Sequence, residues 1–172
     1  MRKRIPIEYY EEAKRVLDYN HETGLFTWKV ARTNSLKVGD PAGTKLNHGY
    51  ICMCISIDKK YKKPTGHRLA WYFINNELPV NVDHINGVRD DNRIINLRAC
   101  TPSQNNMNRK VSDCNKSGKT GVSKNTRTKR WEAYITLNRK RKGLGHFVNK
   151  QDAINARIEG EKKYFGEFAP RI

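Results

Sequence analysis

The order of elements in residues 82–109 constrains this chain more than any other feature. Val82, Asp83, His84 and Ile85 read as a short strand in which apolar residues flank a polar pair. Residues 86–93, rich in Asn, Gly, Asp and Arg, form a loop. Residues 94–99 carry Ile94, Ile95, Leu97 and Ala99 and read as a second strand. A helix start follows, with Thr101 at the N-cap, Pro102 at the first helical position and Gln104 at the third. Asn105 and Asn106 fall in the first turns of that helix. Strand, polar loop, strand and capped helix in so short a span make one small module.

That module brings together specific chemistry. The Asp83 carboxylate is a hard ligand for a divalent cation, and the His84 imidazole is a base that is neutral near pH 7. A flat strand would send the two side chains to opposite faces, whereas a bend or strand end lets both reach one group. The amide oxygen of Asn105 could join Asp83 on a cation, and Asn96 suits bracing the loop through backbone hydrogen bonds. Singly, an Asp-His pair or an Asn is an ordinary turn feature; the combination in this order carries the reading.

Charge names the partner. The chain has 34 Lys+Arg against 17 Asp+Glu, a formal charge of +17. The excess lies in both halves and not in a tail, and it favours a polyanion, nucleic acid ahead of an anionic membrane. Residues 2–4 are charged, but no apolar segment of a secretory signal follows them. No run approaches the roughly 20 apolar residues of a membrane span. Cys52, Cys54, Cys100 and Cys114 form no Cys-x-x-Cys pair, so reduced thiols and no zinc are expected, with 52 and 54 on one side of a strand. A cation site and a base on a basic protein point to hydrolysis of a phosphodiester. There a base takes a proton from water, and Mg²⁺, or Mn²⁺ in its place, serves as Lewis acid.

Elsewhere, spacing predicts a helix over 7–19, a strand over 25–30 and loop over 31–48. A strand over 50–57 and a helix over 67–74 follow. The polar run 110–119 reads as a linker and domain boundary. Beyond it, strands at 121–124, 131–137 and 142–147 and a helix from Asn149 to Phe165 give a three-stranded antiparallel sheet backed by one helix.

Residues 82–109 closely resemble the HNH, or ββα-metal, nuclease motif in the subgroup found in phage homing endonucleases. The matching pieces are Asp83-His84-Ile85-Asn86-Gly87, Asp91-Asn92-Arg93, Asn96-Leu97-Arg98, Thr101, Gln104-Asn105-Asn106 and Asn108. Gly49-Tyr50 and His67-Arg68-Leu69-Ala70-Trp71 also look like that subgroup, so the likeness covers roughly 15–110. The resemblance implies His84 as general base, Asn96 as the brace of the loop, Asp83 and Asn105 as ligands of a single metal, and Arg93 on a phosphate. Residues 120–169 resemble the plant Apetala-type (ethylene-response-factor) DNA-binding domain at Gly121-Val122, Trp131, Ala133, Ile135, Leu144-Gly145, Phe147 and Ala153. That likeness implies a sheet face that reads double-stranded DNA through Lys124, Arg127, Lys129, Arg130, Trp131, Arg139 and Arg141.

The expected fold class is therefore α+β: a ββα-metal nuclease module with an N-terminal β-rich extension, then a three-stranded sheet plus one helix. The expected domains are 1–110 for the chemistry, a linker at 111–119 and 120–169 for DNA binding. The expected function is a metal-dependent DNA endonuclease of the homing type, cytoplasmic and phage-encoded by resemblance. One site and no heptad stripe make a monomer that nicks one strand the expected form. A DNA-binding regulator with a decayed nuclease module is the alternative, and the intact Asp83, His84, Asn96 and Asn105 speak against decay. An RNA-binding protein would fit the charge, but no aromatic RNA-binding signature accompanies it.

Overall fold

The computed structural model describes residues 4–31, 36–108, 111 and 114–170. The chain divides into two compact units, Met1–Thr101 and Pro102–Ile172. The division falls earlier than the boundary expected at 110.

The first unit opens with α1 (Glu8–Val16), which buries Tyr9, Tyr10, Ala13 and Val16 on one face. The helix was expected to run to Tyr19. It stops at Val16, and Leu17–Tyr19 continues as β1, antiparallel to β2 (Phe26–Trp28). The alternation of buried Leu17 with exposed Asp18 has the period of a strand, and the turn that follows selects it. In that turn Asn20 accepts the backbone N–H of Glu22 and Thr23 at 3.0 Å, and Gly24 supplies a φ of +74°. Short strands β3 (Pro41–Ala42), β4 (Thr44–Lys45), β5 (Ile51–Cys52), β6 (Ile55–Ile57) and β7 (Lys60–Lys62) follow. The single strand expected over 50–57 is two, paired with different partners, because the chain breaks at Met53-Cys54. Cys52 is consequently buried and Cys54 exposed, not side by side on one face.

Helix α2 (Gly66–Asn75) packs Leu69, Ala70 and Tyr72 inward and ends on Asn76 in the left-handed region. Leu17, Met53, Ile55 and Leu69 are fully buried with the α1 face, Phe26 and Trp28 in one core. Each such aliphatic side chain contributes about 1.5–3 kcal/mol by leaving water. Strand β8 (Asn81–His84) then pairs antiparallel with β9 (Leu97–Cys100), with Asp83 opposite Arg98 and His84 opposite Leu97. Residues 94–96, expected in the second strand, instead form a 3₁₀ turn that leads into it.

The second unit begins with α3 (Pro102–Met107). Its sheet has the order β10 (Val122–Lys124), β11 (Trp131–Leu137), β12 (Lys140–Phe147), antiparallel throughout. Helix α4 (Lys150–Phe165) packs on the sheet through Ala153. Gly160 allows a close approach, since a Cβ there would lie 2.6 Å from Leu144 Cδ1. The expected linker is partly built in. Ser117 is buried and its hydroxyl meets Asn115 Oδ1 at 2.6 Å and Lys119 O at 2.8 Å. Lys119 pairs with Glu161 at 2.8 Å, and Glu161 with Arg157 at 2.9 Å. Arg157 also donates to the carbonyl of Tyr134, so one buried charge network joins segment, sheet and helix. Composition alone reads such a polar run as solvated; the acidic partner of Lys119 lies far along the chain, on α4.

Candidate active site

His84 is the last residue of β8, next to Asp83 and paired with Leu97 across to β9. Both residues are buried, Asp83 at 8% and His84 at 4% exposure. His84 Nε2 lies 3.3 Å from Asn92 Oδ1. With that oxygen as acceptor, the contact is made by the tautomer of the neutral ring that carries its proton on Nε2. Burial pulls the His84 pKa below its ordinary value, against the Asn92 hydrogen bond and the fields of Asp83, Asp91 and Asp90, which raise it.

Asn92 is held from three sides, and its loop at a fourth point. Its backbone carbonyl accepts the Tyr19 hydroxyl at 2.7 Å. Its side chain lies against Gly66, where a Cβ would come within 2.7 Å of Nδ2. Gly24 packs on the Asn92–Arg93 backbone, with room for no Cβ, 2.5 Å from Arg93 N. The His21 carbonyl accepts Ile94 N–H at 3.2 Å. The β1–β2 turn and the start of α2 thus clamp the loop that carries the partner of His84. Burial raises the Tyr19 hydroxyl to about 12, so it remains a donor.

Asn96 ties the same loop from inside. It accepts Asn86 N–H at 3.0 Å and donates to Asn86 Oδ1 at 3.0 Å and to the Asp91 carbonyl at 2.9 Å. Asp91 in turn accepts Asn86 Nδ2 at 2.8 Å and the Arg93 guanidinium at 2.6 and 2.8 Å. Those bonds, Arg93 first, hold the Asp91 carboxyl down at about 2. Arg93, expected on a phosphate, is engaged within its own loop, with a half-exposed side chain.

Two rings pack against His84. The His67 ring meets His84 edge-on at 5.0 Å, and Tyr50 lies 5.1 Å from His67 and 5.8 Å from His84. His67 Nε2 meets Thr65 Oγ1 at 3.3 Å, and its buried Nδ1 has no hydrogen-bond partner among the described residues. Burial, then His84 and Arg68, push the His67 pKa down to about 3. It is a neutral imidazole beside His84.

Asp83 is held from the neighbouring strand. Across the β8–β9 pair, Arg98 Nε and Nη2 both donate to its Oδ2, at 3.1 and 2.8 Å. Asn105 lies exposed on α3, in the second unit. Among the described residues no three His, Cys, Asp or Glu side chains converge as a cage for a metal. A buried carboxylate such as that of Asp83 is a hard oxygen donor, of the type that suits a cation keeping most of its water.

In the second unit Lys124, Arg127, Lys129, Arg130, Arg139 and Arg141 are exposed. Asn138 and Arg139 form the tight hairpin with φ of +47° and +64°. Arg141 stacks on Tyr134, 3.4 Å from the ring centroid. Trp131 differs from this group. Its half-buried ring packs against the core of Val122, Ala133 and Ala153.

Sequence reading missed Asn92, Arg98, His67 and Tyr50 as parts of the site. All four lie in stretches that resemble the nuclease subgroup, but only contact across the fold gives each a task.

The HNH endonuclease family matches residues 66–107, the span that holds α2, His84, Asn92 and Asn96. Such a domain takes a nucleic-acid substrate. Protein 3.8 of Escherichia phage T7 is 31% identical over 101 residues, which are 58% of this chain and 80% of that protein. No solved structure matches the chain significantly. Among the described residues no helix is long and apolar enough to cross a membrane. The chain belongs to one family with Protein 3.8 of phage T7 and carries an HNH endonuclease domain at residues 66–107.

Proposed function

We propose that this protein is a metal-dependent DNA endonuclease of the phage homing type, which nicks one strand of double-stranded DNA as a monomer in the cytoplasm of an infected bacterium. The observation that carries the reading is the buried His84, its proton fixed on Nε2 by Asn92. In this reading Nδ1 takes the proton of the attacking water, and the imidazolium so formed keeps a charge-assisted hydrogen bond to Asn92. Asp83 and Asn105 are the residues that would hold Mg²⁺ or Mn²⁺. When bound, that ion supplies Lewis-acid stabilisation of the phosphate and of the leaving 3′ oxygen. Asn96 keeps the loop in place through its bonds to Asn86 and Asp91.

The second unit supplies affinity in this reading. Its sheet and helix serve as an Apetala-type DNA-binding domain, with Lys124, Arg127, Lys129, Arg130, Arg139 and Arg141 on phosphates or bases. Trp131 contributes by shaping the sheet that presents them. The test is a supercoiled plasmid incubated with the purified chain, with Mg²⁺ and with EDTA. Metal-dependent appearance of open circles ahead of linear DNA is expected. No conversion of any DNA substrate in Mg²⁺ or Mn²⁺, or full activity in EDTA, refutes the proposal.

A further inference from the structure

The pair between Asp83 and Arg98 has a geometry that surface ion pairs lack. The two residues are direct partners across β8 and β9, so their side chains share a face. Both are nearly enclosed, at 11% exposure for the Arg98 side chain and 9% for that of Asp83. Two nitrogens of one rigid guanidinium reach the same oxygen, Oδ2. Two donors from one rigid guanidinium on one oxygen hold that oxygen in place and limit the rotamers open to the carboxylate. A cation placed on a carboxylate that must itself bind a cation needs a reason, and orientation provides one. A ligand already fixed in direction gives up no rotamer freedom when the metal arrives.

We propose that Arg98 is a positioning residue for metal binding: its two-nitrogen grip on Oδ2 holds the Asp83 carboxylate in the orientation that ligates the metal. This rests on the reading of Asp83 as a ligand. Two effects of Arg98 oppose each other. Its charge repels a divalent ion, and its fork organises the ligand. Arg98→Lys separates them, because the charge stays and the fork is lost.

The experiment measures Mn²⁺ affinity of the full chain by electron paramagnetic resonance, without DNA and therefore independently of cleavage. Arg98→Lys is expected to weaken Mn²⁺ binding by roughly 10-fold or more, on the scale of 10–100-fold for outer partners of metal ligands. Arg98→Met should weaken it at least as much, with folding checked by circular dichroism. Should the Met variant fail to fold, the Lys variant alone decides. Unchanged or tighter binding by folded Arg98→Lys overturns the proposal. Asp83→Asn distinguishes the two levels. If it leaves Mn²⁺ binding intact, or if the parent shows no Asp83-dependent binding, the ligand assignment fails and the proposal with it. If Asp83→Asn abolishes binding while Arg98→Lys does not alter it, only the positioning role fails.

Discussion

Asn92→Ala isolates the hydrogen bond that orients the base. In the resting enzyme Nε2–H donates to a neutral amide oxygen at 3.3 Å, a long bond worth about 0.5–1.5 kcal/mol. Once His84 has taken a proton, the donor is an imidazolium, and such a bond is worth about 1.5–3 kcal/mol. The difference, about 1–1.5 kcal/mol, appears only as the transition state forms, so it lowers kcat by roughly 10-fold. Loss of the fixed tautomer adds to this, and a total of about 10–100-fold is expected. The proposed DNA-binding residues are those of the second unit, so KM should stay within about 3-fold. Asn92→Asp keeps an acceptor at the same place and should recover most of the rate. The assay is single-turnover cleavage of a labelled duplex over a range of enzyme concentrations, on variants shown to be folded. A folded Asn92→Ala that cleaves at the parental rate, or whose defect lies wholly in KM, refutes the reasoning.

Three further outcomes are expected. Gly66→Ala places a methyl group 2.7 Å from Asn92 Nδ2 and should reproduce part of the Asn92→Ala defect in kcat, read in the same assay. Replacing Lys124, Arg127, Lys129 and Arg130 together by Ala should weaken DNA binding and flatten log K against log salt, by about 0.9 for each phosphate no longer neutralised; an unchanged slope in a filter-binding titration would remove those residues from the interface. The Asp91 carboxyl, held at about 2 in the folded chain, lies below its unfolded value near 3.9, so its stabilisation is complete above that value and is lost as pH falls through about 2. Urea midpoints should therefore fall between pH 4 and 2 by less in Asp91→Asn than in the parent.

The parts of the fold legible in the sequence are those set by local period and punctuation. Alternation in residues 131–137 reads as sheet, and the run from Asn149 to Phe165 reads as helix. The end of α1 was not legible, since Val16 and Leu17 continue a helical stripe and the switch to a strand depends on pairing with Phe26–Trp28. The segment 114–119 looked solvated because Lys119 and Ser117 find their partners only in the folded unit. At the site, a loop-bracing part for Asn96 was readable from its place beside the polar loop, where its amide bonds Asn86 and Asp91. The roles of Asn92 and Arg98 were not, because Gly24, Gly66 and the β8–β9 register that make them effective are facts of three dimensions.

The most direct test of the account is the single-turnover cleavage rate of His84→Ala beside the parent, in Mg²⁺ and at saturating enzyme, with duplex affinity measured in parallel. If His84 Nδ1 takes the proton of the attacking water, the rate should fall by at least about 10²-fold, the usual scale for loss of a general base, while affinity stays nearly the same. A folded His84→Ala that cleaves at close to the parental rate would contradict the account.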